Sequence, residues 1–256
     1  MYTSSNQPGM FMQNVIIIGA TSAIAQETAR CYAAEGAALF LVARSAEKLD
    51  ALAADLRIRG QGRVETMVCD LLDFSRHAEI VDKAWGIFGR VDAVLIAHGT
   101  LGDQKRCEED YAEAEKEYRS NFLSVVSLCT PIANRLEKQG SGTLAVISSV
   151  AGMRGRQSNY IYGSAKGAKS LYLQGLRNRM HHKGVKVVSI LPGFVDTPMT
   201  AGFKKNGLYA TAADVGAGIH KAMKKGREVV FLPWFWRWIM FIICSIPEPI
   251  FKKLKL

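Results

Sequence analysis

Short apolar runs alternate with longer segments in which apolar residues recur every three or four positions, from residue 14 to residue 232. The short runs are rich in β-branched residues and are continuous, which is typical of parallel strands covered on both faces. We predict seven strands, at 15–19, 39–43, 64–70, 91–97, 143–149, 185–192 and 228–232. The longer segments predict helices near 23–35, 46–60, 73–89, 108–139, 158–183 and 212–226.

This alternation predicts an α/β fold with a doubly wound, seven-stranded parallel sheet and helices on both faces. Parallel strands need crossover connections, and a helix after each strand supplies them with the usual right-handed sense. No linker or repeat interrupts the pattern. We therefore expect a single Rossmann-type domain over 14–232, a flexible lead-in at 1–13 and a C-terminal extension at 233–256.

Composition adds the expected cellular setting. Apolar residues make up 48% and charged residues 22% of the 256 positions, as in ordinary globular proteins. The five cysteines are odd in number, scattered and without metal-ligand spacing, which favours free thiols in a reducing compartment and no metal site. Residues 1–13 lack the basic and apolar regions of a signal peptide. A cytoplasmic protein is expected.

The first predicted strand runs into Gly19-x3-Ala23-x-Ala25 and then into a helix. Small residues there allow a tight turn, so that a pyrophosphate can approach the helix N-terminus, where free N–H groups favour negative charge. The alternative is a tight strand–helix junction without a ligand. The position of the motif, on the first strand-to-helix turn, favours a dinucleotide site.

The end of the second strand indicates which dinucleotide is preferred. Folds that bind NAD usually have an Asp or Glu there for the ribose hydroxyls. This chain has Ala43-Arg44, and the next carboxylate is Glu47. Because an arginine can pair with a 2′-phosphate through its planar fork, we expect NADP(H) to be preferred over NAD(H). The alternative is that Arg44 is a solvated loop residue.

Tyr162 is followed four residues later by Lys166 and preceded thirteen residues earlier by Ser149. On a helix, residues four apart share one face, so the ammonium would lie beside the phenol. A neighbouring positive charge favours an ionised phenol, which makes a tyrosine usable as a general acid or base. Of the eight tyrosines, only Tyr162 has a lysine at this spacing. A surface pair is the alternative for these residues taken alone.

Taken in order, these motifs resemble the short-chain dehydrogenase/reductase family of Rossmann-fold oxidoreductases over residues 14–232. The matching pieces are Gly19-x3-Ala23-x-Ala25, Asp70-Leu71, Ala97-His98-Gly99, Asn121, Ser149, Tyr162-x3-Lys166 and Pro192-Gly-Phe-Val-Asp-Thr197. Their number, order and spacing make the resemblance specific. It implies hydride transfer between a nicotinamide and a carbonyl or alcohol carbon.

The resemblance also implies a role for each matching residue. Tyr162 would donate or accept the proton, and Ser149 would hydrogen-bond the substrate's carbonyl oxygen. Lys166 would favour the phenolate and hold the nicotinamide ribose, while Asn121 would support a water-linked proton relay. The expected cofactor contacts are Gly19, Thr21, Ser22, Ala23, Ile24, Arg44, Asp70, Leu71, Ala97, Gly99, Tyr162, Lys166, Pro192, Gly193, Val195 and Thr197.

The chain departs from the family pattern at two places. Alanines replace glycines at Ala23 and Ala25, which tightens the turn without blocking it. The usual Asn-Asn-Ala-Gly is Ile96-Ala97-His98-Gly99, so an asparagine that commonly ties neighbouring strands is absent. We interpret His98 as a local structural hydrogen-bonding residue rather than a catalytic one.

The C-terminal extension is apolar and aromatic over 232–246 and ends in basic residues. Of the net charge of +10, residues 221–256 contribute eight basic and two acidic side chains. Three tryptophans, Trp234, Trp236 and Trp238, suit the headgroup boundary of a membrane. Interfacial membrane attachment is expected, with burial in a subunit interface or against the core as the alternative. The run falls short of the ~20 residues of a membrane span.

A reductase that attaches to a membrane suggests a lipidic or lipid-linked ketone as substrate. In its general sequence character and its hydrophobic C-terminus, the chain is similar to decaprenylphosphoryl-2-keto-pentose reductases. Reduction of a 3-ketoacyl lipid or thioester is the alternative. A non-catalytic NADP(H)-binding sensor or scaffold is a third possibility, which the presence of all four catalytic residue types disfavours. We expect a homodimer or homotetramer, no nucleic-acid partner, and a substrate loop at 200–208 in which Lys204 and Lys205 meet either an anion or only solvent.

Overall fold

Strand β1 lies inside a seven-stranded parallel sheet, next to its central strand, in the computed structural model, which describes residues 12–254. The strands are β1 (Asn14–Ile18), β2 (Ala38–Ala43), β3 (Val64–Val68), β4 (Ala93–Ile96), β5 (Gly142–Ile147), β6 (Val185–Pro192), β7 (Val195–Asp196), β8 (Ala210–Thr211) and β9 (Val229–Leu232). The order in the sheet is β3-β2-β1-β4-β5-β6-β9. This confirms the predicted fold class and all seven strands.

Ten helices accompany these strands in residues 12–254. They are α1 (Ala23–Ala34), α2 (Ala46–Arg59), α3 (His77–Phe88), α4 (Gln104–Glu109), α5 (Tyr111–Tyr118), α6 (Ser124–Gln139), α7 (Tyr160–Met180), α8 (Ala212–Lys225), α9 (Trp236–Ser245) and α10 (Glu248–Phe251). One apolar cluster joins the sheet to α1, α2 and α8, and a second joins its other face to α3, α6 and α7. The sheet is therefore buried on both sides.

From β1, the chain first adds β2 and β3 on one side of the sheet and then β4, β5, β6 and β9 on the other side. At such a switch point, the loops after the carboxyl ends of the strands diverge and leave a crevice. The segments that follow β1 to β6 at this edge carry most of the candidate residues, and Asn121, Tyr162 and Lys166 lie on helical segments. The topology thus brings segments that are distant in sequence to one edge of the sheet.

The single helix predicted over 108–139 is wrong. Asp110 ends α4 and caps α5, since its carboxylate accepts the backbone N–H of Ala112 at 2.8 Å. A π-helical turn over Arg119–Leu123 then separates α5 from α6. Such a turn carries an extra residue, and it places Asn121 with no solvent exposure. The helix predicted over 158–183 is shorter and is α7.

Two further features follow β6. Strands β7 and β8 form a separate two-stranded parallel sheet that closes the loop between them, which the sequence did not predict. The tail folds into α9 and α10, and Trp236 and Met240 of α9 pack in a third apolar cluster with Val150 and Leu191. Within residues 12–254, no helix is both long and apolar enough to cross a bilayer. The predicted flexible lead-in falls mostly on residues 1–11, outside the described residues.

Candidate active site

The turn between β1 and α1 is tight at Gly19. Its φ is +80°, and a Cβ at this position would lie 2.7 Å from the backbone nitrogen of His98. Only glycine combines this left-handed backbone with so close a neighbour. The backbone N–H groups of Gly19 and Ala20 both donate to the carbonyl of Val42, at 2.8 and 3.0 Å. The turn is thereby fixed against the end of β2.

The N-terminus of α1 has the free donors that a phosphate needs. Ser22 is the N-cap, and its hydroxyl accepts no hydrogen bond from the first turn, which also contains no acidic residue. Residues Thr21 to Ile24 are partly exposed, while Ala25 is buried. The first N–H groups of a helix therefore face an accessible surface with the positive end of the helix dipole. These residues fit a dinucleotide pyrophosphate.

The ends of β2 and β3 border the same turn. Arg44 follows β2, is exposed, and forms no ion pair within the described residues. Leu71 is 9% exposed, and the carboxylate of Asp70 accepts the backbone N–H of Leu72 at 3.0 Å. Asp70 and Leu71, which are expected to contact the adenine, thus lie at the same edge of the sheet as the exposed Arg44.

His98 links three elements below this edge. The hydroxyl of Ser124 donates to the carbonyl of Leu71 at 2.7 Å, so it accepts from Nε2 of His98 at 2.8 Å. This arrangement fixes the neutral tautomer with the proton on Nε2. Burial, with the charges of Lys169 and Lys166, holds the pKa of His98 well below its usual range. His98 therefore makes the local structural hydrogen bond expected of it.

The start of α7 lies against the turn that follows Ser149. A Cβ at Gly152 would lie 2.6 Å from the backbone nitrogen of Gly167, so both small residues allow close approach. The hydroxyl of Ser148 donates to the carbonyl of Lys166 at 3.0 Å and binds β5 to α7. This contact sets Tyr162 on the same edge as Ser149.

Tyr162 and Lys166 meet on one face of α7, and Ser149 lies just after the end of β5 on the same edge of the sheet. Lys166 is 4% exposed, and its Nζ lies 5.2 Å from the centroid of the Tyr162 ring. Tyr162 itself is partly exposed, and Ser149 is 9% exposed with its Oγ accepting the N–H of Ala151 at 3.1 Å. Tyr162 is therefore partly exposed at this edge, with the buried Lys166 ammonium beside its ring and the Ser149 hydroxyl largely covered.

Asn121 belongs to a buried polar network. Its Nδ2 donates to Oε2 of Glu117 at 3.0 Å and to Oγ1 of Thr100 at 3.2 Å. The Thr100 hydroxyl in turn donates to the Glu117 carboxylate at 2.9 Å. A Cβ at Gly99 would lie 2.6 Å from Oδ1 of Asn121 and 3.1 Å from Nζ of Lys166. The Asn121 amide and the Lys166 ammonium therefore both lie next to Gly99, where only a glycine leaves room for them.

Two buried charged residues of this region were missed in the sequence. Glu117 is 9% exposed, and its position four residues before Asn121 was the available signal. Lys169 is completely buried, one turn after Lys166, and its Nζ donates to the carbonyl of Ile147 at 3.0 Å. Burial, followed by the charge of Lys166, holds the pKa of Lys169 well below its usual range. Lys169 is therefore a buried amine beneath the site, and its carbonyl contact fixes its position.

The segment after β6 closes the other side of the crevice. Thr200 Oγ1 donates to the carbonyl of Val195 at 2.7 Å and accepts the N–H of Thr197 at 3.2 Å. The substrate loop beyond it is exposed, and Lys205 pairs with Asp196 at 2.5 Å. Lys205 is therefore engaged by the protein's own carboxylate.

The tail forms a wall next to this segment. A Cβ at Gly193 would overlap the indole of Trp236, and the Phe194 ring stacks on Tyr209 with centroids 5.2 Å apart. Phe194 also meets Trp236 edge to face at 5.0 Å. The loop after Pro192, which is expected to face the nicotinamide, is therefore packed against α9.

Comparisons with known proteins agree with this architecture. A family model described as short chain dehydrogenase matches residues 13–207. An uncharacterized oxidoreductase of Mycobacterium tuberculosis is 36% identical over 240 residues, covering 94% of this chain and 96% of the relative. One from Streptomyces coelicolor is 34% identical over 243 residues, with the same coverage of both chains.

Solved structures of oxidoreductases have the same fold. A levodione reductase aligns with a TM-score of 0.79 at 25% identity, covering 86% of this chain and 96% of that one. An alcohol dehydrogenase from the archaeon Thermococcus sibiricus, solved with 5-hydroxy-NADP, aligns with a TM-score of 0.76 at 25% identity, covering 86% and 95%. Oxidoreductases that act on carbonyl or alcohol groups therefore share this architecture.

Proposed function

The chain belongs to the short-chain dehydrogenase family and is an NAD(P)-dependent oxidoreductase; we propose that it reduces a ketone, with Tyr162 as the proton donor. The observation that carries this proposal is the position of Nζ of Lys166, 5.2 Å from the Tyr162 ring, at an accessible crevice. Bound NADPH supplies the hydride that the carbonyl carbon accepts. The alcohol oxidation is the same reaction in reverse.

The oxygen of the substrate is the point at which the protein acts. Negative charge grows there as the carbon accepts hydride, and hydrogen-bond donors already in place stabilise it. Ser149 and Tyr162 carry the two hydroxyl groups proposed to contact this oxygen. Tyr162 then gives its proton to the oxygen, which completes the alcohol and leaves a phenolate.

Lys166 and Asn121 support this proton transfer. The Lys166 ammonium stabilises the phenolate, because it is 4% exposed and its charge is little screened by water. The Asn121 amide is fixed by Glu117 and Thr100, so its orientation is set before any ligand arrives. We assign Asn121 to the proton relay that returns the proton to Tyr162.

NADP(H) is the proposed cofactor. The exposed guanidinium of Arg44, at the end of β2, suits a 2′-phosphate, and no carboxylate stands at that position for the ribose hydroxyls. The archaeal alcohol dehydrogenase with this fold was solved with an NADP derivative. The uncapped first turn of α1 would bind the pyrophosphate.

A lipidic or lipid-linked ketone is the proposed substrate class, with a polyprenyl-phosphate 2-keto sugar as the specific candidate. Helix α9 is apolar on both faces: Trp236 and Met240 are buried, while Trp238 and Phe241 are 59% and 66% exposed. An exposed apolar face beside Arg237 and the basic end of the chain fits a membrane surface with anionic lipids. The decaprenylphosphoryl-2-keto-pentose reductases remain the proposed nearest group.

The alternatives are separated by one screen. NADPH consumption is measured against keto sugars, polyprenyl-linked keto sugars and 3-ketoacyl lipids, with and without phospholipid vesicles. Turnover of a polyprenyl-linked keto sugar supports the proposal, and turnover of 3-ketoacyl substrates alone assigns the chain to that reaction. NADPH binding without turnover of any carbonyl would favour a sensor or scaffold. Two further expectations stay predictions. They are a homo-oligomeric assembly and a location at the cytoplasmic face of a membrane.

A further inference from the structure

Glu117 is a buried carboxylate on α5 that is held by hydrogen bonds and not by an ion pair. It is 9% exposed, and no Lys, Arg or His of residues 12–254 forms an ion pair with it. Glu113, one turn earlier on the same helix, has the ordinary surface arrangement, since it pairs with Arg106 at 3.4 Å and with Lys116 at 2.5 Å. Burying a carboxylate costs free energy unless donors compensate it, so the donors around Glu117 determine why it is there.

Those donors come from the candidate active site. Nδ2 of Asn121 donates to Oε2 of Glu117 at 3.0 Å, and the Thr100 hydroxyl donates to the same carboxylate at 2.9 Å. The loop after β4 covers the carboxylate closely at Gly102, where φ is +70° and a Cβ would lie 2.6 Å from Cδ of Glu117. The fold therefore encloses Glu117 between this loop and the Asn121 amide.

The carboxylate determines which way the Asn121 amide points. An ionised carboxylate only accepts hydrogen bonds, so the NH2 group of Asn121 must face Glu117 and the amide oxygen must point elsewhere. Oδ1 accepts the backbone N–H of Thr100 at 3.3 Å. A Cβ at Gly99 would lie 2.6 Å from this oxygen and 3.1 Å from Nζ of Lys166, so the oxygen lies on the side of the ammonium. An oxygen there attracts an ammonium, whereas an NH2 group would repel it.

We propose that Glu117 is a positioning residue for ketone reduction, because its carboxylate keeps the oxygen of the Asn121 amide, and not the nitrogen, toward Lys166. Glu117 acts through Asn121 and takes no proton itself. The inference rests on the proposed function in one respect, namely that Lys166 supports Tyr162 in that reaction.

Exchanging the two polar groups tests this orientation. In Asn121→Asp, two carboxylates face each other. In the double variant Glu117→Gln/Asn121→Asp, the Gln amide donates to the Asp carboxylate, so the bond is reversed while an oxygen still faces Lys166 and the net charge is that of the wild type. We expect kcat for ketone reduction to fall by about 100-fold in Asn121→Asp, and to recover by at least about 10-fold in the double variant.

Glu117→Gln alone lets the Asn121 amide turn either way. We expect about a 10-fold lower kcat with unchanged KM for the ketone and unchanged NADP+ affinity, because the proposal places Glu117 against Asn121 and not against a ligand. Glu117→Asp keeps the charge but withdraws it by one methylene group, and it should lower kcat in the same direction. Glu115→Gln, an equal charge change at an exposed position of α5, is the control and should retain the wild-type kcat.

The orientation of the amide is also measured without turnover. In 15N-labelled protein, the side-chain amide signal of Asn121 is identified by its absence in Asn121→Asp, and its hydrogen exchange with solvent is followed. We expect this exchange to be about 10-fold faster in Glu117→Gln than in the wild type, because the amide loses its charge-assisted hydrogen bond. Thermal unfolding of each variant shows whether it is folded.

A double variant no more active than Asn121→Asp, or an unchanged kcat in Glu117→Gln, would overturn the inference. Parallel losses of NADP+ affinity, ketone KM and thermal stability in Glu117→Gln would assign Glu117 to packing alone. A wild type that reduces no ketone, but whose Asn121 amide exchange still depends on Glu117, would reject the proposed function and leave the orienting role of Glu117 intact.

Discussion

Nζ of Lys166 lies 5.2 Å from the centroid of the Tyr162 ring, one turn further along α7. The spacing of four residues on a helix brings these two side chains to one face, as the sequence predicted. Lys166 is 4% exposed, and its Nζ and Oδ1 of Asn121 both lie next to Gly99. The pair is thus a partly exposed tyrosine with a buried lysine beside its ring.

Lys169 gives this arrangement a measurable pH signature. Its pKa in the folded chain is held well below the usual lysine range by burial and by Lys166. Below about pH 10 the unfolded chain binds a proton on this side chain and the folded chain does not. The free energy of unfolding therefore falls as the pH falls, until the folded-state pKa is reached.

Replacing Lys169 with methionine should remove this dependence. From about pH 10 downward, the free energy of unfolding of the wild type should fall relative to Lys169→Met by about 1.4 kcal/mol per pH unit. Denaturant titrations across this range provide the measurement. The exposed Lys221→Met is the control and should follow the wild type. A constant difference between wild type and Lys169→Met would show that Lys169 is protonated in the fold.

Adding one methyl group at Gly99 should impair catalysis. The new Cβ would lie 2.6 Å from Oδ1 of Asn121 and 3.1 Å from Nζ of Lys166, so both groups must move. A misplacement of about 1 Å can cost about 10²-fold in rate, so we expect kcat to fall by about this factor. Gly86→Ala, in α3, is the matched control because its Cβ would meet nothing within 4 Å. Equal kcat for the two variants would remove Asn121 and Lys166 from the mechanism.

Arg44 should determine the choice between the two nicotinamide cofactors. Arg44→Ser is expected to raise KM for NADPH by about 10-fold and to leave KM for NADH nearly unchanged, because only NADPH carries the 2′-phosphate. Initial rates with both cofactors measure the effect. Arg90→Ser, at the opposite edge of the sheet, should change neither value. Faster oxidation of NADH than NADPH by the wild type would contradict the assignment.

The exposed face of α9 should mediate membrane binding. Trp238 and Phe241 are replaced together by serine, which removes two large apolar side chains that are 59% and 66% exposed. Flotation with vesicles containing phosphatidylglycerol should show at least about a tenfold lower partition. Leu171→Ser, 69% exposed on α7, is the control. Equal flotation of the wild type and the double variant would leave the tail as a packing element only.

The sheet was predictable because its strands are continuous apolar runs at regular intervals. The candidate site was predictable in the segments where spacing determines geometry, such as Tyr162 and Lys166 on one helix face. The π-helical turn around Asn121 was not predictable, because it interrupts a continuous helical pattern and packs against α7, which is distant in sequence. The β7–β8 pair was also missed, since two-residue strands leave no periodicity.

Lys169 was missed for a different reason. A lysine in a polar segment is normally solvated, and nothing in the local sequence marks it as buried. Lys169 is covered because β5 and α6 pack over its helix face: its Nζ donates to the carbonyl of Ile147, and Cys129 of α6 lies close to it. This environment comes from contacts between residues far apart in the sequence.

The most direct test of the proposed mechanism is Tyr162→Phe, which removes one hydroxyl and keeps the ring. We expect kcat for ketone reduction to fall by about 10²- to 10⁴-fold, as loss of a general acid does, with NADPH affinity nearly unchanged. Tyr160→Phe, two residues earlier and 42% exposed, is the matched control and should retain full activity. Wild-type turnover by Tyr162→Phe would contradict the account.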